Sequence, residues 1–482
     1  MSAEALEEAL AAAPPSSPVA QDELAALVAG RGTVVILDDD PTGTQTVTGL
    51  PIVTRWGPDD LAWAFDRPGS GFCVLTNTRS LDTAAARART VEVVEALDAA
   101  AAGRPYVVVS RGDSTLRGHH VDEIDAITST LARVGWGEVD AVLVVPAFPD
   151  ARRITVDSVH WVVDAGAYVP AGESSFARDP SFGFRSSDLR EWTAERSGGR
   201  HPAGDVAAIT LAAVRGRADA LVDAILAVRG ARHVVVDAAD EHDLRRISVA
   251  AMRAEARGHR VLYRSSPGLL RARLGQEPHP ALSRTDVAHA VARARPATRH
   301  GLVVVGSHVP LSTRQLEHLL AVDTSVEHVV IDVLALLDDA AGVVTDAVRR
   351  VGAALAHRDV VLSTSRARID GVDGDDSLRI ARTISRSLVE ATRRILETAR
   401  PSFLIGKGGI TSSDLATGAV GLARATILGS LLSRMASVWQ SDEADAASGR
   451  ATPYAVFPGN VGSDDALAQA VEAFRAGANA TG

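Results

Sequence analysis

The feature that most restricts the fold is an alternation. Short runs of β-branched apolar residues, each closed by a polar loop, take turns with longer Ala-, Leu- and Val-rich segments of helical period. A strand that returns after a helix pairs most readily in parallel, with helices covering the sheet faces. The pattern therefore predicts α/β architecture with mainly parallel sheets. In the first half the strands are expected at 33–37, 72–75, 106–109, 141–145 and 233–236. The second half restarts at 301–305 and continues near 328–332, 359–363, 402–405 and 454–457. Residues 166–205 break the rhythm with a polar, aromatic-dotted stretch, which reads as one long loop of a functional or disordered kind.

A chain of 482 residues allows two or three domains. Two arginine-rich, proline-containing patches, around 264–282 and 290–300, mark the boundary. The reading is a flexible leader over 1–30 ending in a short helix, an N-terminal domain over 31–285 and a C-terminal domain over 286–482. Each domain is a mainly parallel sheet flanked by helices, with the active site expected in the cleft between them.

Charge narrows the partners. A formal net charge of -10 argues against general nucleic-acid binding, which needs a basic face. Cys73 is the only cysteine, so no intrachain disulfide can form, and a reducing cytoplasm is the expected setting. The first residues lack a basic, apolar targeting pattern, and no run of 18 apolar residues predicts a membrane span.

Three units in the second half repeat one grammar of strand, glycine loop and helix. The first is LVVVGSHVPLSTRQL, with Gly306 and Ser307 in the loop and Ser312 as the expected cap. The second is FLIGKGGITSSDL, carrying Lys407, Gly408, Gly409, Ile410 and Thr411. The third is AVFPGNVGSDDAL, with Gly459, Asn460 and Gly462 in the loop and Ser463 as cap. Glycines admit a ligand close to the backbone, and free N–H groups at a helix start attract anions, so converging loops would cradle phosphates. No loop matches the P-loop spacing or the dinucleotide fingerprint. Lys407 is the only lysine among 50 basic residues, and a compact ammonium suits a phosphate where arginine would be larger and planar. A single glycine loop is more often a plain turn.

The first half closes its strands with denser chemistry. Asp38, Asp39 and Asp40 lead into Pro41-Thr42-Gly43, and three adjacent carboxylates need compensation by cations or hydrogen bonds. They suit substrate hydroxyls, a Mg²⁺ shell or a catalytic base. The stretch SRGDSTLRGHH sets Asp113, Ser114, Thr115, Arg117 and Gly118 together, a set able to hold a polyhydroxylated acid. Ser114 and Thr115 read equally well as helix caps. His119 and His120 read as solvated or core-edge histidines. Arg79 in TNTRSLD and Arg152 and Arg153 in DARRITVD add arginines at further strand ends, which points to a small anionic substrate. The acidic run 369–377 lacks calcium-loop spacing and reads as a solvated loop and cap.

Taken in order, DDDPTGTQTV, TNTRS, GDSTLRGHHVDEI, PAFPDARRITVD, VVVGSHVPLSTRQL, GGITSSDLA and FPGNVGSDDAL resemble the four-carbon acid sugar kinase family over roughly residues 33 to 470. The resemblance implies an acid-sugar-binding N-terminal domain, an ATP-binding C-terminal domain, and phosphorylation, with ATP and Mg²⁺, of a terminal hydroxyl of a threonate- or erythronate-like acid or its 3-oxo form. By position it makes Asp39 and Asp40 the catalytic pair. It assigns Thr42, Gly43, Arg79, Asp113, Ser114, Thr115, Arg117, Gly118 and Arg153 to the substrate. Ser307, Gly408 to Thr411 and Gly459 to Gly462 fall to the nucleotide; the metal ligands are not implied. Three departures mark a divergent subgroup: Pro41-Thr42-Gly43-Thr44-Gln45 replaces Leu-Thr-Gly-Ala, Ile410 stands where Asp is frequent, and Phe457-Pro458 stands where a Lys is common. Lys407 is expected to supply the missing charge. Acid sugar and ATP are the expected partners, without nucleic acid or membrane, and a homodimer is allowed. The rivals are a non-catalytic sensor of acid sugar or nucleotide, and a dehydrogenase, which the absent fingerprint disfavours.

Overall fold

The computed structural model describes residues 3–164, 166–366, 374–433, 435–441 and 451–481. They form two units, one of residues 1–46 and 55–279, the other of residues 47–54 and 280–482. The second unit begins at residue 280 and also claims the early segment 47–54.

In the first unit a parallel sheet runs in the order Gly71–Leu75, Thr33–Asp38, Tyr106–Arg111, Val261–Ser265, Ala141–Val145, Arg232–Val236, Ala207–Ile209. Its inner strands are covered on both faces, which is why they read as unbroken apolar runs; Val35, Ile36, Val109 and Leu143 are fully buried. A three-stranded antiparallel sheet of Arg153–Val156, Val159–Asp164 and Ala167–Pro170 stands apart from it.

The second unit's sheet runs Glu327–Ile331, Val360–Thr364, Leu302–Val305, Leu404–Lys407, Tyr454–Phe457 in parallel. It then turns antiparallel through Ser437–Ser441, Arg424–Ser430 and Leu50–Val53. Helix Ala466–Ala478 packs on this sheet, and Phe474 stacks on Phe403 at 4.7 Å between ring centroids. Both units are α/β with mainly parallel sheets, as the alternation predicts.

Several local expectations need correction. The leader is not loose: Ala3–Ala12 and Gln21–Ala29 are helices. Leu6 packs among Ile154, Val156, Trp161 and Leu211, and Leu24 against Val249 and Met252. Apolar positions on one face of each short helix suffice to dock it. The stretch 166–205 is not one loop, since it holds strand Ala167–Pro170, short helical turns and helix Leu189–Arg196. Ser312 does not cap its helix, which begins at Pro310, and lies inside it, buried. Helix Ala466–Ala478 takes Asp465 rather than Ser463 at its cap position. Ser114 and Thr115 cap nothing, because the following helix begins only at His120. His119 and His120 are buried, His120 stacked on Trp192 at 4.5 Å. Of the acidic run, residues 369–373 lie outside the described residues. Among the described residues no helix is long and apolar enough to cross a membrane.

Candidate active site

Strand Thr33–Asp38 lies between two parallel neighbours, and the register sets Asp38 beside Leu75 on one side and Arg111 on the other. The strand therefore delivers its three carboxylates next to the end of the Tyr106–Arg111 strand. Asp38, Asp39 and Asp40 are all buried. Arg111, 3% exposed, donates through Nη1 to Asp38 Oδ1 at 2.7 Å, to Asp39 Oδ1 at 3.1 Å and to the Asp40 carbonyl at 2.9 Å. Arg79 grips Asp39 with two donors, Nε to Oδ2 at 3.1 Å and Nη2 to Oδ1 at 2.5 Å, and its Nη1 lies 3.6 Å from Asp40 Oδ2.

These charges set different proton affinities. Burial pushes Asp38 up to about 7, with Asp39 and Asp40 adding to the rise and Arg111 opposing it. Burial also acts to raise Asp40, but Arg79, Arg111 and the hydrogen bonds from Thr42 outweigh it and hold that carboxyl below its ordinary value. Thr42 donates its N–H to Asp40 Oδ1 at 2.9 Å and its hydroxyl to the same oxygen. Gly43 serves the cluster by lacking a side chain, since an added Cβ would overlap the Arg111 guanidinium.

The loop after Arg111 builds a second group. Asp113 Oδ2 accepts from Arg117 Nε at 2.6 Å and from the Thr115 hydroxyl. Arg153 Nη1 donates to Ser114 Oγ at 2.5 Å, and Arg117 and Arg153 both stand 5.7 Å from the Phe176 ring centroid. Burial works against the Asp113 charge, but Arg117, Arg79 and Arg153 hold its carboxyl well below the usual range. Gly118, at φ +113°, joins the two groups: a Cβ there would stand 3.0 Å from Asp39 Oδ2. The structure thus brings together Asp39, Asp40, Thr42, Gly43, Arg79, Asp113, Ser114, Thr115, Arg117, Gly118 and Arg153. Arg117 is already engaged by Asp113, so its Nε is not free for a ligand, and its Nη1 lies 3.8 Å from Asp179.

Three residues of this network escape a reading of the sequence. Arg111 is the central cation, marked only by its place two residues before Asp113. Arg264 donates to Ser110 Oγ at 2.9 Å and to Glu123 Oε2 at 2.8 Å. Glu123 accepts from Thr78 on its other oxygen, and burial raises its pKa against the pull of Arg264.

In the second unit, strands Leu302–Val305, Leu404–Lys407 and Tyr454–Phe457 are parallel neighbours, so the three glycine loops leave the same sheet edge side by side. Ser312 Oγ lies 3.1 Å from Ser307 Oγ and donates to the Gly459 carbonyl at 2.9 Å. A Cβ on Gly408 would stand 2.8 Å from that of Ser307, and one on Gly459 would stand 2.9 Å from Ser307 Oγ. Gly306 would meet Thr411 in the same way. Gly409 opens the short helix that carries Ile410, which is 63% exposed, and Thr411. The third loop is held by Gln315 Nε2, which donates to the Val461 and Ser463 carbonyls, at 3.0 and 2.8 Å, on either side of Gly462.

Lys407 points inward. It is wholly buried, its ammonium donates to the Pro458 carbonyl, and Nζ sits 3.9 Å over the centre of the Phe457 ring. The side chain therefore ties the second loop to the third. Burial pulls its pKa down from 10.5 to about 7. Between those values the unfolded chain binds a proton that the folded chain does not, so stability from this group rises with pH through the window and the penalty is full below about pH 7. Lys407→Met is expected to gain most over the parent below about pH 7 and to lose that advantage towards about pH 10. Denaturant midpoints at the two ends check this; a pH-independent difference would overturn it.

Among the described residues no group of three or more His, Cys, Asp or Glu side chains is placed to hold a metal ion. Mg²⁺ that arrives on phosphates keeps several waters and needs only one or two protein carboxylates, and within the cluster Asp40 Oδ2, 3.6 Å from Arg79 Nη1, is the oxygen that could supply one.

Comparison with known proteins matches a sugar-binding N-terminal domain over residues 34–273 and a nucleotide-binding C-terminal domain over residues 302–467. The chain is 32% identical over 229 residues to a D-erythronate kinase of Heliobacterium modesticaldum, covering 45% of this chain and 48% of that one. It is 31% identical over 281 residues to a D-threonate kinase of Bordetella bronchiseptica, covering 56% and 62%. The chain thus spans about half to three fifths of the length of these curated relatives. The fold is shared with the Haemophilus influenzae protein HI1011, at a TM-score of 0.62 and 18% identity over 92% of this chain and 100% of that one. A protein of Salmonella typhimurium LT2 shares it at 0.64 and 16%, over 92% and 99%. Two domain matches in this order, on a chain whose motifs follow the same order, show that it belongs to the four-carbon acid sugar kinase family.

Proposed function

We propose that the chain is an ATP-dependent kinase that phosphorylates the terminal hydroxyl of a four-carbon acid sugar of the threonate, erythronate or 3-oxo-tetronate type. The observation that carries this reading is the joined polar network of the first unit. Arg79 and Arg111 orient Asp39 and Asp40 and hold Asp40 ionised, and Arg79 also acts with Arg117 and Arg153 on the charge of Asp113. Arg153 and the outer nitrogens of Arg117 would take the substrate carboxylate, and Asp113 its hydroxyls. Asp40 would orient the attacking hydroxyl and accept its proton. Phosphoryl transfer depends mainly on positioning and charge neutralisation, so a weak base suffices.

The nucleotide phosphates would lie along Ser307, the backbone of Gly408 to Thr411, and Gly459 to Gly462. Lys407 would act through the two loops it fastens rather than by touching phosphate. Mg²⁺ would neutralise phosphate charge during transfer.

A coupled ADP-release assay over C4 to C6 aldonic and keto-aldonic acids, with and without Mg²⁺, tests the proposal. Release with a C4 acid is expected. Binding of acid or nucleotide without turnover across the whole panel would favour a sensor. Arg117→Ala is expected to weaken acid binding by about 2 kcal/mol, roughly 30-fold, because Arg117 is partly exposed and the loss sits at the low end for a charged pair. Calorimetry showing parental affinity would remove Arg117 from the substrate site.

A further inference from the structure

Helix Gly374–Ala399 borders the glycine loops and also forms one wall of a separate hollow. Arg382, Ser385, Arg386 and Val389 on the helix, with Asp414 and Thr417 opposite, line an open groove of about 820 Å³. That volume falls within the range of small-molecule sites, about 300–1,000 Å³.

The charges in it are uncommitted on one side only. Among the described residues neither Arg382 nor Arg386 has a carboxylate partner; Arg386 Nε reaches only the Arg382 carbonyl, at 3.3 Å. Asp414 accepts from the Ser385 hydroxyl, and Glu390, which also lines the groove, is paired with Arg393 at 2.8 Å. Arg379 lines the groove as well, so three arginines face the two carboxylates Asp414 and Glu390, which offset part of the positive charge. Two unpaired guanidinium groups, planar and weakly hydrated, favour a flat aromatic ring laid against them.

The groove also begins beside the loops. Leu388, on the same helix, would stand 3.1 Å from a Cβ at Gly306, and Thr411, which meets that same position, lies one helical turn before Asp414. One turn is about 5.4 Å, well within the reach of a nucleotide from its phosphates to its base.

We propose that this groove receives the nucleoside end of the nucleotide, with the base against Arg382 and Arg386 and the base edge and ribose hydroxyls towards Ser385, Asp414 and Thr417. The inference rests on the nucleotide reading of the glycine loops and adds a place for the base.

Titration calorimetry with ATP and with inorganic tripolyphosphate, on the parent and on a double variant, Arg382→Lys with Arg386→Lys, tests it. The lysines keep both charges and remove both planar faces. Both arginines are exposed, so the substitutions leave the fold intact, which a thermal melt checks. ATP affinity is expected to fall roughly five- to tenfold while tripolyphosphate changes less than about twofold. Unchanged ATP affinity overturns the base site and leaves the loops as phosphate binders. An equal loss for both ligands assigns the groove to phosphate instead and overturns the inference. If the folded parent binds neither ligand, the nucleotide reading fails and the groove assignment falls with it.

Discussion

Asp40→Asn is expected to lower kcat for acid-sugar phosphorylation by roughly 10²–10⁴-fold, the usual contribution of a general base, with little change in melting temperature. Of the carboxylate oxygens in the cluster, Asp40 Oδ2 is the more available. Its partner oxygen takes both Thr42 bonds, while Oδ2 is 3.6 Å from Arg79 Nη1. The Asp40 side chain is 12% exposed against 2% for Asp39, both of whose oxygens are bound by Arg79. Asparagine has the same shape and still accepts the Thr42 N–H, so substrate KM values should hold. Because the cations hold Asp40 below its ordinary value, activity should fall with acid only as pH drops below the normal carboxylate range. A variant with parental kcat, or a parent whose acid limb sits well above that range, would exclude Asp40 as the base.

The largest loss of stability is expected from Arg111→Met, about 3–5 kcal/mol, the cost of breaking a buried ion pair from one side. One guanidinium donates to Asp38, Asp39 and the Asp40 carbonyl, and all these groups are shielded from water. Methionine fills much of the volume but leaves the carboxylates facing one another. The pH dependence gives the test its sign. Asp38 already stands at about 7 in the folded chain, above its unfolded value near 3.8, so its penalty is present above that window and relieved as pH falls. Without Arg111 the folded value rises further. The deficit against the parent should therefore be larger near pH 8 than near pH 5, as read from urea midpoints. A deficit that ignores pH would show that the methionine acts by misfit alone.

How far the sequence can be read depends on what each feature needs. The ten expected strands appear within two residues because unbroken β-branched runs are what a sheet buried on both faces requires. Leu50–Val53 is hidden by its length and by Pro51, which removes a backbone donor. Ala207–Ile209 has three residues, and Arg424–Ser430 and Ser437–Ser441 mix polar side chains into their runs. The site motifs could be named because they follow strand ends in order. Arg111, Arg264 and Glu123 could not, since their partners are fixed by the register of strands far apart in the chain. Lys407 stood out by composition, but only the pairing of Leu404–Lys407 with Tyr454–Phe457 shows that its ammonium lies under Phe457.

The early segment 47–54 has a practical consequence. Its strand Leu50–Val53 pairs with Arg424–Ser430 in the second unit, although the chain on both sides of it belongs to the first. The matched sugar-binding domain, residues 34–273, includes that strand within its span. A cut at the obvious junction near residue 280 would strip the C-terminal fragment of a border strand and leave the backbone of Arg424–Ser430 bare on that side. The two halves are therefore not excisable modules: recombining or swapping them between relatives demands that a short donor strand travel with the half it does not adjoin in sequence.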